Sequence, residues 1–245
     1  MRLFSTDLDG TVVGNPEATR RFARFWHSLP DDIRPVLVYN SGRLVDDQLA
    51  LIDETGLPEP DFIIGGVGTM LHHKTNTSLS DNFSSAIADG FDSHSVERVM
   101  SGIDGIKKQP DEYQHALKSS WYLHDSTQNA LTAIQQRLEH AGLQAQIVYS
   151  SSRDLDVLPR NANKGYAALW LAKSLGITPS DIIVAGDTGN DRAMFEIPGV
   201  RGIIVANALD ELRQLGNTND RLMIAKLPMA DGVIEGLTRL LARET

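Results

Sequence analysis

The chain has 245 residues, 41% of them apolar, and its 32 acidic against 23 basic side chains give a formal charge of -9. That is enough apolar sequence for one large domain or two small ones, while the acidic balance argues against nucleic acid or an anionic membrane as a partner. Cysteine is absent, which excludes disulfides and thiolate metal sites.

Leu3-Phe4-Ser5-Thr6 is the first predicted strand, and Met1 leads almost directly into it. That leaves no room for a signal peptide, and no apolar stretch is long enough to span a bilayer, so a cytoplasmic protein is expected. The strand runs into Asp7-Leu8-Asp9-Gly10-Thr11. In extended chain, alternation turns Asp7 and Asp9 to one face and Leu8 to the other, and crowded like charges need a cation or a shared proton. Taken alone, Asp-Gly is also ordinary turn chemistry. Asn15 and Pro16 then open a helix whose Phe22, Phe25, Trp26 and Leu29 fall at helical spacing, a core-packing stripe.

Residues 35–39 read as a strand leading into Asn40-Ser41-Gly42-Arg43 and a helix carrying Leu44, Val45, Leu49 and Ile52. A hydroxyl and a glycine at a strand-to-helix turn present N–H groups to an anion, with a plain N-cap as the competing reading for Ser41. Gly65-Gly66-Val67-Gly68 lacks the dinucleotide-binding spacing and reads as a tight turn near a crevice. From 77 to 158 the pattern changes to helical stretches at 83–88 and 96–100, a strand at 116–123, a helix with Leu131, Ile134, Leu138 and Ala141, and strands at 145–149 and 155–158. This reads as an α+β insertion. His72, His73, His115 and His124 have no metal-ligand spacing.

Asn163-Lys164-Gly165 opens a helix that stops at Gly176. A lysine at a helix start opposes the macrodipole, so Lys164 makes more sense beside a phosphate or carboxylates. The apolar run Ile182-Ile183-Val184-Ala185 is the pattern of a buried parallel strand and ends in Gly186-Asp187-Thr188-Gly189-Asn190-Asp191. In an open parallel sheet the crevice lies at the carboxyl ends of the strands, so both acidic clusters converge there if their strands are neighbours. Such a site calls for a hard divalent cation, Mg²⁺ suiting an all-oxygen set. Strands alternating with amphipathic helices predict a doubly wound α/β core.

In this order, Asp7-Leu8-Asp9-Gly10-Thr11, Ser41-Gly42-Arg43, Lys164 and the run from Gly186 to Asp191 resemble the four motifs of the haloacid dehalogenase superfamily of phosphatases. The longer stretches 39–44, 61–69, 117–123 and 150–159 are similar to sucrose-phosphate phosphatases, with Ser41 where those often carry threonine. The resemblance implies a Rossmann-like parallel-sheet core of 1–78 and 159–245, with 79–158 inserted as an α+β cap closing over the site. It implies a Mg²⁺-dependent hydrolysis of a disaccharide phosphate, sucrose-6-phosphate or mannosylfructose-6-phosphate, through an aspartyl-phosphate. In that scheme Asp7 is the nucleophile, Asp9 the acid and base, and Lys164 the charge offset. Ser41, Gly42 and Thr11 hold the phosphate. Asp7, the carbonyl of Asp9, Asp187, Asn190 and Asp191 hold the metal directly or through water. Lys118, Arg153, Asp154, Asp156 and Arg43 are the candidate sugar contacts, although a solvated sheet face accounts equally well for each cap residue. A sugar-phosphate phosphomutase uses the same aspartate pair, and a phospho-receiver module shares the acids, hydroxyl and lysine but is far shorter.

Overall fold

The computed structural model describes residues 1–88 and 90–242. In chain order the elements are β1 (Leu3–Thr6), α1 (Pro16–Ser28), β2 (Val36–Asn40), α2 (Val45–Thr55), β3 (Phe62–Gly65), β4 (Met70–His72), α3 (Thr77–Ile87) and α4 (Ser93–Met100). There follow β5 (Lys107–Lys108), β6 (Ser119–Tyr122), α5 (Gln128–His140), β7 (Ala145–Ser150), β8 (Asp154–Pro159), α6 (Lys164–Ser174) and β9 (Ile182–Gly186). The chain closes with α7 (Arg192–Phe195), β10 (Arg201–Ile204), α8 (Asp210–Thr218), β11 (Leu222–Ile224) and α9 (Met229–Leu241).

The larger sheet has the order β11-β10-β9-β1-β2-β3-β4, parallel throughout except for β4. All four residues of β1 are buried, as a strand flanked on both edges and covered on both faces must be. Strand β1 pairs in parallel with β2 on one side and β9 on the other, Thr6 lying opposite both Tyr39 and Ala185. The three loops that follow these strands therefore leave the sheet side by side. Strand order reverses at β1, which is where a crevice opens in a doubly wound sheet. This is the α/β architecture that the alternation of strands and helices predicts.

Helix α1 starts as its sequence dictates. Asn15 accepts from the N–H groups of Glu17 and Ala18, Pro16 takes the first position, and Phe22 and Trp26 are buried with Trp26 stacked 5.9 Å from Phe4. Burying each such aromatic contributes roughly 1.5–3 kcal/mol, more than the cap's roughly 1 kcal/mol, so packing decides where the helix lies.

The second sheet is antiparallel, in the order β5-β6-β8-β7. Period-two alternation divides its faces. Trp121, Leu155 and Val157 join Val96 and Met100 of α4 and Ile134 and Leu138 of α5 in a hydrophobic cluster separate from that of the larger sheet. On the opposite face, Ser120 stands across from Asp156, and Tyr122 across from Asp154.

Two local differences from the sequence reading have physical causes. The strand expected over 116–123 is shortened to Ser119–Tyr122, because His115 and Lys118 exchange backbone hydrogen bonds at 3.0 Å and close a tight turn. Leu117, at that turn, packs against the cluster of the larger sheet instead. Helix α3, at the expected start of the insertion, also buries Phe83 and Ile87 in that cluster, with Phe83 edge-on to Trp170 at 5.1 Å.

Candidate active site

The loop after β1 begins as a continuation of the sheet: the Asp7 N–H donates to the Ala185 carbonyl at 3.0 Å. Leu8 turns to the other side and is fully buried. The N–H groups of Thr11, Val12 and Val13 then converge on the Leu8 carbonyl and fold the chain back. Gly10 makes this possible with φ +80°, and a Cβ there would lie 2.2 Å from Oδ2 of Asp187. Only glycine permits both the left-handed backbone and that approach.

The loop after β9 brings the second pair of acids. Asp191 closes a capping box with Thr188, its Oδ2 accepting from the N–H groups of Asp187 at 2.9 Å and Thr188 at 3.1 Å. Helix α6 brings the cation: Asn163 caps it by accepting from the Tyr166 N–H at 2.8 Å, and Lys164 takes its first position. The Lys164 Nζ is fully buried and donates to Asp7 Oδ1 at 2.7 Å and to Asp191 Oδ1 at 2.6 Å. The misplaced lysine of the sequence is thus accounted for by two carboxylates.

The electrostatics of this floor are unbalanced. Asp7, Asp187 and Asp191 can bring ligand oxygens within 4.8 Å of one another, all three residues being buried. One ammonium against three carboxylates leaves two negative charges over. Burial, reinforced by the charges of Asp191 and Asp187 and opposed by Lys164, pushes Asp7 well above the ordinary carboxylate range. Burial and the charge of Asp191 push Asp187 up to about 7, against the Thr11 hydroxyl and Lys164. Burial alone would lower Lys164, but Asp191 and Asp7 outweigh it and hold its ammonium protonated. A divalent cation is the group that restores neutrality, and an all-carboxylate donor set fits a hard one.

Ser41 and Gly42 lie beside this floor, on the loop after β2. That loop is pinned by the turn between β3 and β4: Ser41 donates its N–H to Ile64, and Val67 donates to the Ser41 carbonyl at 3.1 Å. Gly68, at φ +87°, presses on the Asn163–Lys164 peptide, where a Cβ would lie 2.3 Å from the Asn163 carbonyl. Asn40 reaches the Lys164 carbonyl at 2.9 Å. The glycine run is the tight turn near the crevice that its sequence suggests, and it fixes the loop after β2 and the lysine helix together.

A cavity of about 690 Å³ opens above this floor. Asp7, Asp9, Ser41, Gly42, Arg43, Asp47, Thr188 and Asn190 line one side, and the second sheet supplies the other. There Lys118, 5% exposed, donates to Ser120 Oγ at 2.6 Å and the Tyr113 carbonyl at 3.1 Å, and lies 3.1 Å from Asp156. Ser120 donates in turn to Asp156 Oδ1 at 2.6 Å. Asp154 accepts from Gln109 at 3.0 Å and from Arg153 at two points.

The structure thus brings together Asp7, Lys164, Asp187 and Asp191 in one buried cluster and sets Ser41, Gly42 and Asn190 on the cavity wall beside it. Thr11 and the Asp9 carboxylate are placed differently from expectation, and Arg43 is found paired. Thr11, expected on the phosphate, is fully buried off the cavity wall and gives its hydroxyl to Asp187 Oδ1 at 3.0 Å. Arg43, a candidate sugar contact, lines the cavity and forks onto Asp9 and Asp47. The Asp9 carboxylate faces Arg43 and not the buried cluster. Gln109, Ser120 and Asp47 escaped the sequence reading. Ser120 was accessible to it, since Lys118 and Ser120 share a strand face by alternation, as Asp154 and Asp156 do.

The family model for sucrose-6F-phosphate phosphohydrolase matches residues 1–240. A mannosylfructose-phosphate phosphatase of Agrobacterium fabrum is 56% identical over 97% of this chain and 96% of its own length. Sucrose-phosphatase 2 of Nicotiana tabacum is 31% identical over 95% of the chain, which spans 57% of that longer protein. Among solved structures, the sucrose-phosphatase of Synechocystis sp. PCC6803 in complex with sucrose and phosphate superposes with a TM-score of 0.89 at 28% identity, covering 98% of each chain. A haloacid dehalogenase subclass IIB sugar phosphatase shares the fold at a TM-score of 0.63 and 13% identity.

Proposed function

Because the chain belongs to the sucrose-6F-phosphate phosphohydrolase family, phosphoric monoester hydrolases of the haloacid dehalogenase superfamily, we propose that it hydrolyses a disaccharide phosphate by way of an aspartyl-phosphate on Asp7. The preferred substrate in this reading is mannosylfructose-6-phosphate, the relative of that name sharing 56% identity over nearly its whole length. Sucrose-6-phosphate is the second candidate, after the more distant sucrose-phosphatases. The observation that carries the proposal is the cavity itself, whose floor is anionic chemistry and whose far wall, from another sheet, is a row of polar side chains.

A phosphate seated over Ser41 and Gly42 meets a hydroxyl and a loop N–H, with the Lys164 ammonium behind. Lys164 holds Asp7 by Oδ1 and offsets charge as the carboxylate attacks phosphorus. The new bond joins an Asp7 oxygen to phosphorus while the bond to the sugar oxygen breaks. Asp9, at the cavity wall, gives that oxygen a proton and then removes one from the water that attacks the phosphoenzyme. Mg²⁺ would be held by Asp7, Asp187 and the Asp9 carbonyl, with Asn190 and Asp191 in support, and would supply positive charge to the phosphoryl oxygens. Asp191 suits support, since its oxygens already accept from Lys164 and two backbone N–H groups.

On the sugar side, Asp154, Asp156 and Arg153 line the cavity, whereas the Lys118 ammonium already donates to Ser120 and Tyr113 and serves to hold Asp156. The insertion closing over the site is the second sheet with its own cluster. Comparing kcat/KM over mono- and disaccharide phosphates with Mg²⁺ tests the substrate. Mannosylfructose-6-phosphate is expected to lead; a better rate on glucose 6-phosphate would overturn the assignment. Asp7→Asn is expected to abolish both turnover and acid-stable labelling from a phosphorus-labelled substrate, and a fully active D7N protein would refute the mechanism.

A further inference from the structure

Arg43 sits on the lip of the cavity with an arrangement that stability does not explain. Its Nε and one terminal nitrogen donate to the two oxygens of Asp9 at 2.6 and 2.9 Å, and the other terminal nitrogen donates to both oxygens of Asp47 at 2.9 Å. The side chains are 32%, 52% and 50% exposed for Arg43, Asp9 and Asp47. Ion pairs in such surroundings contribute about 0–1 kcal/mol to folding. The backbone that carries the guanidinium is nevertheless fixed as well. The Arg43 carbonyl accepts from the Gly66 N–H at 2.9 Å and from Gln48 Nε2 at 3.1 Å, Gln48 being fully buried on α2. Among the described residues, Asp9 has no other side-chain hydrogen-bond partner.

We infer that Arg43 is a positioning residue for Asp9, its planar fork fixing the orientation of that carboxylate at the leaving-group side of the cavity while Asp47 fixes the fork. The inference rests on the acid and base role of Asp9 proposed above. A half-exposed aspartate samples several rotamers, and a two-point contact selects one carboxylate plane, which a lysine ammonium cannot do. The fork also faces the charge that proton transfer leaves behind. As the Asp7–phosphorus bond forms and the phosphorus–sugar oxygen bond breaks, the Asp9 proton passes to the sugar oxygen and leaves a carboxylate facing Arg43. That carboxylate next accepts a proton from the attacking water, and the cycle closes with Asp9 protonated again.

The test compares two phosphates that lack a sugar: p-nitrophenyl phosphate, whose phenolate departs without a proton, and butyl phosphate, whose alkoxide does not. The value of kcat/KM reports the steps through phosphoryl transfer to Asp7, and the loss of a positive charge at position 43 affects both dianions alike, so it cancels in their ratio. Arg43→Met and Arg43→Lys are expected to lose at least about tenfold more on butyl phosphate than on p-nitrophenyl phosphate, a part of the roughly 10²–10⁴-fold that acid catalysis supplies. Asp47→Asn should show the same bias, smaller, and all three variants should melt with the parent protein. Equal losses on both substrates, or a change confined to KM for the disaccharide phosphates, would overturn the inference. Asp9→Asn separates the two levels. A bias in D9N with none in the Arg43 variants overturns the positioning role alone, whereas no bias in D9N removes the acid role of Asp9 and the inference with it.

Discussion

The charge imbalance at the cavity floor has a measurable cost in the metal-free protein, and Asp187→Asn isolates it. Asp187 is displaced from 3.8 to about 7, which corresponds to about 4 kcal/mol at 1.36 kcal/mol per tenfold change in proton affinity. The native state holds this proton more tightly than the unfolded chain does. Between the two pKa values the native state therefore binds more protons, and stability falls as pH rises from about 4 to about 7, then stays level. An asparagine carries no such charge and can still accept from Thr11. In EDTA, the D187N protein should match the parent near pH 4 and gain on it through pH 7, reaching a ceiling of about 4 kcal/mol at pH 8, or roughly 10 °C in Tm for a chain of this size. With Mg²⁺ the gap at pH 8 should narrow to about 1 kcal/mol, because binding stabilises only the parent, by about 2.7 kcal/mol at a hundredfold excess over Kd. Thermal and urea unfolding across pH, with and without metal, reads all of this. A pH-independent difference between D187N and the parent, or a parent indifferent to Mg²⁺, would refute the reasoning.

Other perturbations probe neighbouring parts of the same site. Gly10→Ala places a Cβ 2.2 Å from Asp187 at φ +80°; it should cost about 1–3 kcal/mol and most of the Mg²⁺ affinity, read by unfolding and calorimetric titration. Lys164→Met leaves three buried carboxylates without a counter-charge and should destabilise the metal-free protein by about 3–5 kcal/mol at pH 8, and by less at pH 5 where Asp187 is protonated; a loss that does not depend on pH would count against it. Lys118→Met strands the buried Asp156 and should cost about 3 kcal/mol, part of which Lys118→Met/Asp156→Leu recovers; additive losses in that cycle would show the pair to be uncoupled.

Much of the floor was legible because local rules and topology agree there. Asp7 and Asp187 each end an apolar run, and parallel strands that are neighbours must deliver both to one edge of the sheet. Lys164 announced itself by breaking the helix-dipole preference. What stayed hidden was partner choice among residues far apart in sequence. The Thr11 hydroxyl looks like a phosphate ligand until β9 lays Asp187 beside it, 176 residues away. Nothing local in the sequence shows that Arg43 is held by two carboxylates, one from the loop after β1 and one from the first turn of α2. The 116–118 segment misled for a related reason: its apolar Leu117 serves the cluster of the larger sheet, so apolarity there marks a tertiary contact and not a strand.

Strand β8 divides its labour by parity. Leu155 and Val157 point into the second cluster, whereas Asp154 and Asp156, one residue away on the other face, line the cavity. Its neighbour β6 repeats the division, with Trp121 in the cluster and Tyr122 on the cavity. On the function proposed above, laboratory evolution of leaving-group preference can therefore be confined to three even-numbered positions of two short strands. Libraries at 122 and 154, with 156 varied together with its buried partner Lys118, would change the far wall of the cavity without spending the hydrophobic contacts that keep it folded, and without touching the loops that carry Asp7 and Asp187.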